Sequence, residues 1–194
     1  MTPDPLKHSP HLPRLPYLLY VSGGARSGKS SYAEQRALAL PGPHSYIATC
    51  PVLDTEMAIR VAIHRHHRIG KGWETLEESV DLCGALHATR SSSVVLVDCV
   101  TLWINNLLYA AAERQEGLDE AWMEAATAKV IEAARSAERT VIFVSNELGM
   151  GIVPAQALSR RYRDLVGRCN QILAAHADEA VFMLSGLPLF LKQP

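Results

Sequence analysis

Gly23-Gly24-Ala25-Arg26-Ser27-Gly28-Lys29-Ser30, preceded by the apolar run Tyr17-Leu18-Leu19-Tyr20-Val21, is the stretch from which the fold can be read. It matches the pattern G-x-x-x-x-G-K-[ST]. The glycines of such a loop let backbone N–H groups close around phosphate oxygens, while the lysine and the hydroxyl reach the distal phosphate and Mg2+. The context supports this reading over a plain Gly/Ser turn. A buried strand comes before the loop and a helix-competent segment, Ser30 to Leu40, comes after it, so a helix N-terminus faces the anion.

Further along the chain, strand and helix patterns alternate. Residues 45–49 read as a short strand. Asp54-Thr55-Glu56-Met57 reads as a helix start, its early acidic residues favoured by the helix dipole, with the helix running to about His67 and ended by Gly70 and Gly72. Trp73 to Glu77 is a short strand or an extended edge piece, and Ser79 to Ala88 a helix. Ser93-Val94-Val95-Leu96-Val97-Asp98 is continuously apolar and β-branched, as expected of a strand covered on both faces, and it ends in a carboxylate. Helices are expected over 102–112 and 120–137, a buried strand over 140–145, a long helix over 155–177 and a last strand over 180–184 that residues 187–191 extend. Between 146 and 154, two glycines and a proline form a loop at a strand end, where open α/β sheets place ligand contacts. This order predicts an α/β fold: a mainly parallel β-sheet with helices on both faces, of P-loop NTPase type (RecA-like).

The chain has 194 residues, 48% hydrophobic and 20% charged, which suits one substantial core. A single catalytic domain over 17–194 is expected, with residues 1–16, which hold five prolines, as a flexible extension. The formal charge of −1 gives no bulk attraction to nucleic acid or to an anionic membrane, so any phosphorylated ligand must be held by local groups. The four cysteines are scattered, with no CxxC pair, and read as reduced thiols. No apolar stretch approaches the ~20 residues of a membrane span, and no secretory leader is legible, so a cytoplasmic protein is expected.

Two features carry candidate chemistry beyond the loop. Asp98, at the end of a buried strand, is suited to hold Mg2+ beside the Ser30 hydroxyl; alternatively it caps the following helix. Between Arg60 and Arg68 stand three histidines and three arginines. A metal site on His64 and His67 is opposed by the flanking arginines and by the lack of a Cys, Asp or Glu at ligand spacing. A phosphate substrate suits the segment better, since arginines fork onto phosphate oxygens and a neutral imidazole attacks phosphorus. A solvated basic helix face remains open on these residues alone.

The loop Gly23–Ser30 occurs together and in order with Tyr46-Ile47-Ala48-Thr49, Asp54-x-Glu56-Met57-x-x-Arg60, His64-Arg65, Trp73-Glu74-Thr75-x-Glu77 and Asn146-Glu147-x-Gly149-x-Gly151-Ile152-Val153-Pro154. This set closely resembles the bifunctional adenosylcobinamide kinase / adenosylcobinamide-phosphate guanylyltransferase family of cobalamin biosynthesis, from Leu18 to the C-terminus.

The resemblance implies two reactions. ATP or GTP phosphorylates the hydroxyl on the aminopropanol arm of adenosylcobinamide, and GTP then transfers GMP to a histidine and on to the new phosphate, with release of pyrophosphate. Counting from Glu56, the family's guanylylated histidine falls on His64; His66 and His67 stand close by, and the spacing to Trp73 is one residue longer than the family pattern. By the same carry-over, Gly23, Gly24, Ala25, Arg26, Ser27, Gly28, Lys29 and Ser30 cradle the triphosphate. Ala48 and Thr49 line the nucleotide site, Arg65 and Arg68 approach phosphates, and Glu77 and Asp98 contact GTP. Lys29 and His64 are the catalytic pair, and Ser30 with Asp98 the Mg2+ ligands. Arg65 and Arg68 are expected to lower the His64 pKa by like-charge repulsion, leaving a neutral nucleophile near neutral pH. A homotrimer is implied as well, with 102–108 as a candidate interface, although core packing accounts for that segment equally well.

Overall fold

The computed structural model describes residues 14–51 and 70–193. The helix expected over 54–67, with His64 and Arg65, and the Arg68 that follows it lie outside the described residues.

Seven strands form one sheet in the order β3-β2-β4-β5-β1-β6-β7: β1 Tyr17–Gly23, β2 His44–Ala48, β3 Trp73–Glu77, β4 Val94–Asp98, β5 Thr140–Asn146, β6 Glu179–Leu184 and β7 Leu187–Lys192. All pairs are parallel except β6 with β7. Among the described residues the helices are α1 Lys29–Leu38, α2 Leu82–Ala88, α3 Val100–Glu113, α4 Glu120–Arg135 and α5 Ala157–His176. The mainly parallel α/β architecture expected from the sequence is therefore present. Among the described residues, no helix is long and apolar enough to cross a membrane.

Strand alternation divides the core between two faces. Leu18, Tyr20, Val95, Val97, Val141 and Phe143 point to one side, where they meet Trp103, Ile104, Leu107, Met123, Leu165 and Leu173 of α3, α4 and α5. Leu19, Val21, Val94, Leu96, Ile142 and Val144 point to the other, against Tyr32, Ala33 and Ala37 of α1. Central strands buried on both faces need this continuous apolar composition, which is why their periodicity in the sequence is that of a run rather than an alternation. Residues 102–108 are used in the core: Trp103 and Ile104 are at most 4% exposed.

Two features differ from the sequence expectation, each for a local reason, and one open alternative resolves. The helix expected from Ser79 starts at Leu82, because Glu78 first accepts the amides of Val80 and Asp81, and Asp81 then caps by accepting from Gly84 N at 2.9 Å. Of the two readings left open for Trp73–Glu77, the strand is the one present, paired parallel at the sheet edge. Residues 187–191 do not extend β6. Ser185 and Gly186, at φ 53° and 84°, turn the chain back so that β7 runs antiparallel along it.

The amino ends of β1 and β6 are tied together by a buried polar cluster. The Arg36 guanidinium donates to both Glu179 oxygens at 2.6 Å, and the Tyr17 hydroxyl donates to Glu179 Oε2 at 2.7 Å. Arg36 also donates to the Tyr32 hydroxyl at 2.8 Å. Burial pushes the Tyr17 phenol above its ordinary range, and its hydrogen bond to Glu179 adds to this. Nearby, Arg139, 1% exposed, donates to the Leu86 and Thr89 carbonyls at 2.8 Å and closes the C-terminal end of α2.

Candidate functional site

The site grows from the carboxyl end of β1. Gly23 sits at φ 153°, and a Cβ there would lie 2.5 Å from the Met183 carbonyl oxygen and 2.6 Å from Ser27 Oγ, so no other residue fits without displacing backbone. Gly28, left-handed at φ 93°, is the N-cap of α1. One local and two long-range amide bonds hold the loop: Ser27 N donates to Gly24 O at 3.2 Å within it, and Glu147 N donates to Gly23 O at 3.1 Å and Gly186 N to Ser27 O at 3.0 Å. The loop is thus braced by β5 and by the β6–β7 turn.

Within this loop the polar groups are set for a ligand. Ser27 Oγ is buried and has no hydrogen-bond partner among the described residues, which in a native interior calls for a further partner such as a ligand oxygen. Lys29 is 9% exposed, and among the described residues its ammonium donates only to Gly24 O, at 3.1 Å. Burial draws its pKa below the ordinary range, against the opposing pull of Cys99 and Asp98. The first-turn amides of α1 have no intrahelical acceptors and add partial positive charge at the same place.

Parity brings further residues alongside. Ala48 is in register with Asp98 on one side and with Glu77 on the other, and Gly23 with Asn146. Counting by twos from Tyr46, Leu96, Val144 and Trp73, the side chains of Ala48, Asp98, Asn146 and Glu77 all belong to the α1 face. One end of one face therefore carries the phosphate loop, Ala48, Glu77 and Asp98.

Asp98 does not cap α3. That N-cap is Cys99, without a side-chain bond, and the Asp98 carboxylate instead accepts the Tyr46 hydroxyl at 2.8 Å. Its other oxygen makes no hydrogen bond among the described residues, and its charge acts on Lys29. Thr49 is fully buried and serves as a strut: its hydroxyl donates to Cys99 O at 2.7 Å and accepts from Cys99 N at 2.8 Å, and its carbonyl accepts from Asn106 Nδ2 at 2.8 Å. Glu147 Oε1 accepts the Gly149 amide at 2.7 Å, which shapes the start of a loop whose Met150 and Ile152 are 80% and 96% exposed.

Sequence reading missed Tyr46 as the partner of Asp98, and it missed the β6–β7 turn as the loop's outer wall. The first was legible in principle, since Tyr46 stands two residues before Ala48 and so shares its face. The second was not, because no local pattern shows which distant turn meets a loop. Among the described residues no group of three or more His, Cys, Asp or Glu could hold a metal ion. A cation here would need phosphate oxygens and water to complete its shell, and hard oxygen donors such as Ser30 and Asp98 suit Mg2+ held in that way.

Comparison with known proteins agrees with this geometry. The chain is 41% identical over 187 residues to the bifunctional adenosylcobalamin biosynthesis protein CobU of Escherichia coli, covering 90% of this chain and 99% of that protein. It is 40% identical over 174 residues to CobP of Pseudomonas aeruginosa, covering 89% and 95%. Among solved structures, a prototypical ATPase from the type III secretion system of pathogenic bacteria superposes with a TM-score of 0.56 at 12% identity, covering 86% of this chain and 50% of that one. The flagellar accessory protein FlaH from Methanocaldococcus jannaschii gives 0.50 at 14% identity, covering 91% and 78%. At these identities the structural likeness concerns the fold alone, which is of P-loop NTPase type. The family profile described as cobinamide kinase / cobinamide phosphate guanyltransferase matches residues 19–191, and the chain belongs to that family.

Proposed function

We propose that the protein phosphorylates adenosylcobinamide with ATP or GTP and then transfers GMP from GTP, through a guanylyl-histidine, to give adenosylcobinamide-GDP and pyrophosphate. The observation that carries this reading is the phosphate loop with its partnerless buried Ser27 hydroxyl and its desolvated Lys29, in a chain of this family.

In the kinase step the loop amides from Gly23 to Ser30 hold the triphosphate, and Lys29 neutralises charge that builds on the transferred group. Phosphoryl transfer asks little else of a protein than position and electrostatics. Ser30 and Asp98 would hold Mg2+, which supplies charge neutralisation across the phosphates when bound. Tyr46 fixes the Asp98 carboxylate through its hydroxyl. Ala48 and Glu77 line the nucleotide, and Thr49, whose hydroxyl, amide and carbonyl are committed to Cys99, Asp98 and Asn106, supports that wall from behind.

In the second step the His64 imidazole attacks the α-phosphorus, with Arg65 and Arg68 on the phosphates. One displacement thereby becomes two, and pyrophosphate leaves before the bulky acceptor is attacked. The domain over 17–194, a cytoplasmic setting and a homotrimer belong to the same reading.

Incubation with GTP labelled at the α-phosphate tests the covalent step. The expected result is acid-labile, alkali-stable label on the protein that disappears in His64→Ala, while that variant still phosphorylates adenosylcobinamide. Absence of label under active conditions would leave a single-activity kinase. Label that survives in His64→Ala and is lost in His66→Ala or His67→Ala would move the nucleophile.

A further inference from the structure

Thr101, Ser145 and Asn170 are buried polar residues, 2%, 0% and 6% exposed, from three different elements, and nothing in the mechanism above uses them. Their hydrogen bonds form a ring that begins and ends on one residue. The Asn146 amide donates to Thr101 Oγ1 at 2.6 Å; the Thr101 and Ser145 hydroxyls are 3.1 Å apart; Ser145 Oγ donates to Asn170 Oδ1 at 2.7 Å; and Asn170 Nδ2 donates to the Asn146 carbonyl at 3.0 Å. With the Thr101 hydroxyl donating to Ser145, every proton runs in one sense around the ring, the arrangement in which successive bonds strengthen one another. Buried polar groups are costly unless fully paired, and here the pairing fixes the main chain of Asn146 from both its N–H and its C=O.

What the ring holds is a side chain left open. The Asn146 carboxamide makes no hydrogen bond among the described residues and is half-buried. It ends β5, the strand between the one that carries the phosphate loop and the one that carries Asp98, and its register partner is Gly23. It follows Ile142 and Val144 onto the α1 face, the face of Lys29 and Asp98. Its neighbour Glu147 is turned back onto Gly149 and is thereby removed from the same role.

Resting on the kinase reading above, we propose that Asn146 is a further catalytic residue, whose Nδ2 donates to an oxygen of the phosphoryl group in transfer. A carboxamide suits that position because it donates without net charge, where a carboxylate would repel the triphosphate. In the step it serves, the substrate hydroxyl oxygen forms a bond to the terminal phosphorus. The bond from that phosphorus to the bridging oxygen breaks, the nucleoside diphosphate leaves with the electron pair, and the hydroxyl proton passes to water. Asn146 takes no proton; it stabilises charge on the transferred group. Thr101 and Asn170 are positioning residues that act through its backbone.

The test uses the full chain, adenosylcobinamide and ATP. Asn146→Ala should lower kcat for phosphorylation by about a hundredfold or more, as loss of one transition-state donor does, with the nucleotide KM changed by less than about threefold. Asn146→Asp, the same size and hydrogen-bonded through the same main chain, should lose at least as much with an unchanged melting temperature. Thr101→Val, which opens the ring, should give a smaller fall in kcat, again without a matching rise in KM. A kcat within about threefold of the parent in both Asn146 variants overturns the proposal alone. A parent protein that does not phosphorylate the substrate overturns the kinase reading and the proposal with it.

Discussion

At the amino ends of β1 and β6, Arg36, Glu179, Tyr17 and Tyr32 answer one another's charges and hydrogen bonds; beside them Arg139 spends two donors on carbonyls of the α2 terminus, its buried Nε having no partner among the described residues. At the carboxyl ends the pattern is reversed: Ser27 Oγ has no partner, Lys29 rests on a carbonyl of its own loop, and Asp98 accepts from a neutral phenol rather than from a cation. Both ends belong to the same strands and draw on the same core. The difference teaches that burial serves stability in the Arg36–Glu179 cluster, where charges are paired, and keeps groups ready for phosphate at the other end, where they are not.

Exchanging losses between the two ends is the way to break this contrast. The largest effect is expected from Lys29→Ala, which should lower kcat/KM for phosphorylation by about a thousandfold, judging by the loss of a transition-state donor, with little change in melting temperature. Steady-state kinetics beside a thermal melt checks it, and a variant that unfolds but retains its rate would dissolve the distinction. Glu179→Ala should do the opposite. It strands Arg36 and Tyr17 in a site where Glu179 is only 5% exposed, at a cost of about 3 kcal/mol in urea unfolding, while kcat per folded molecule is kept. Tyr46→Phe, the smallest, sharpens the boundary because Tyr46 is a core residue whose hydroxyl belongs to the site. It should raise the Mg2+ concentration for half-maximal activity by about tenfold, the usual scale for a residue that orients a ligand. The accompanying stability loss should be only about 1 kcal/mol, and a metal titration with a urea curve separates the two.

How much of this was legible in the sequence follows from the range of each signal. The loop could be read because its glycines, lysine and serine are adjacent and each answers a local demand, such as the left-handed N-cap at Gly28. The strands β1, β4 and β5 could be read because burial on both faces leaves an unbroken apolar run. The turn of β7 was missed because residues 187–191 are as apolar as a continued strand, and the reversal depends on two residues, Ser185 and Gly186, that carry little pattern. The two readings of Asp98 could not be separated either, since an acidic residue before a helix is the same in sequence whether it caps or faces a cation. The structure removes the capping reading, because the N-cap is Cys99, and the bond that Asp98 accepts from Tyr46 depends on the pairing of β2 with β4. Motif resemblance carried the identification of Ala48 and Glu77, for which residue type alone says nothing; the sheet register then brings them into line with Asp98.

The contact between Gly186 N and Ser27 O has a consequence for how the site is inherited and altered. The phosphate loop is contiguous in sequence, but its mould is not: Met183 and Gly186 press on it from the hairpin near the far end of the chain. A chain that kept every motif from Gly23 to Pro154 but rebuilt that hairpin would carry the letters of a nucleotide site without its shape. Changes in the last strands, far from any signature, are thus changes to the phosphate grip.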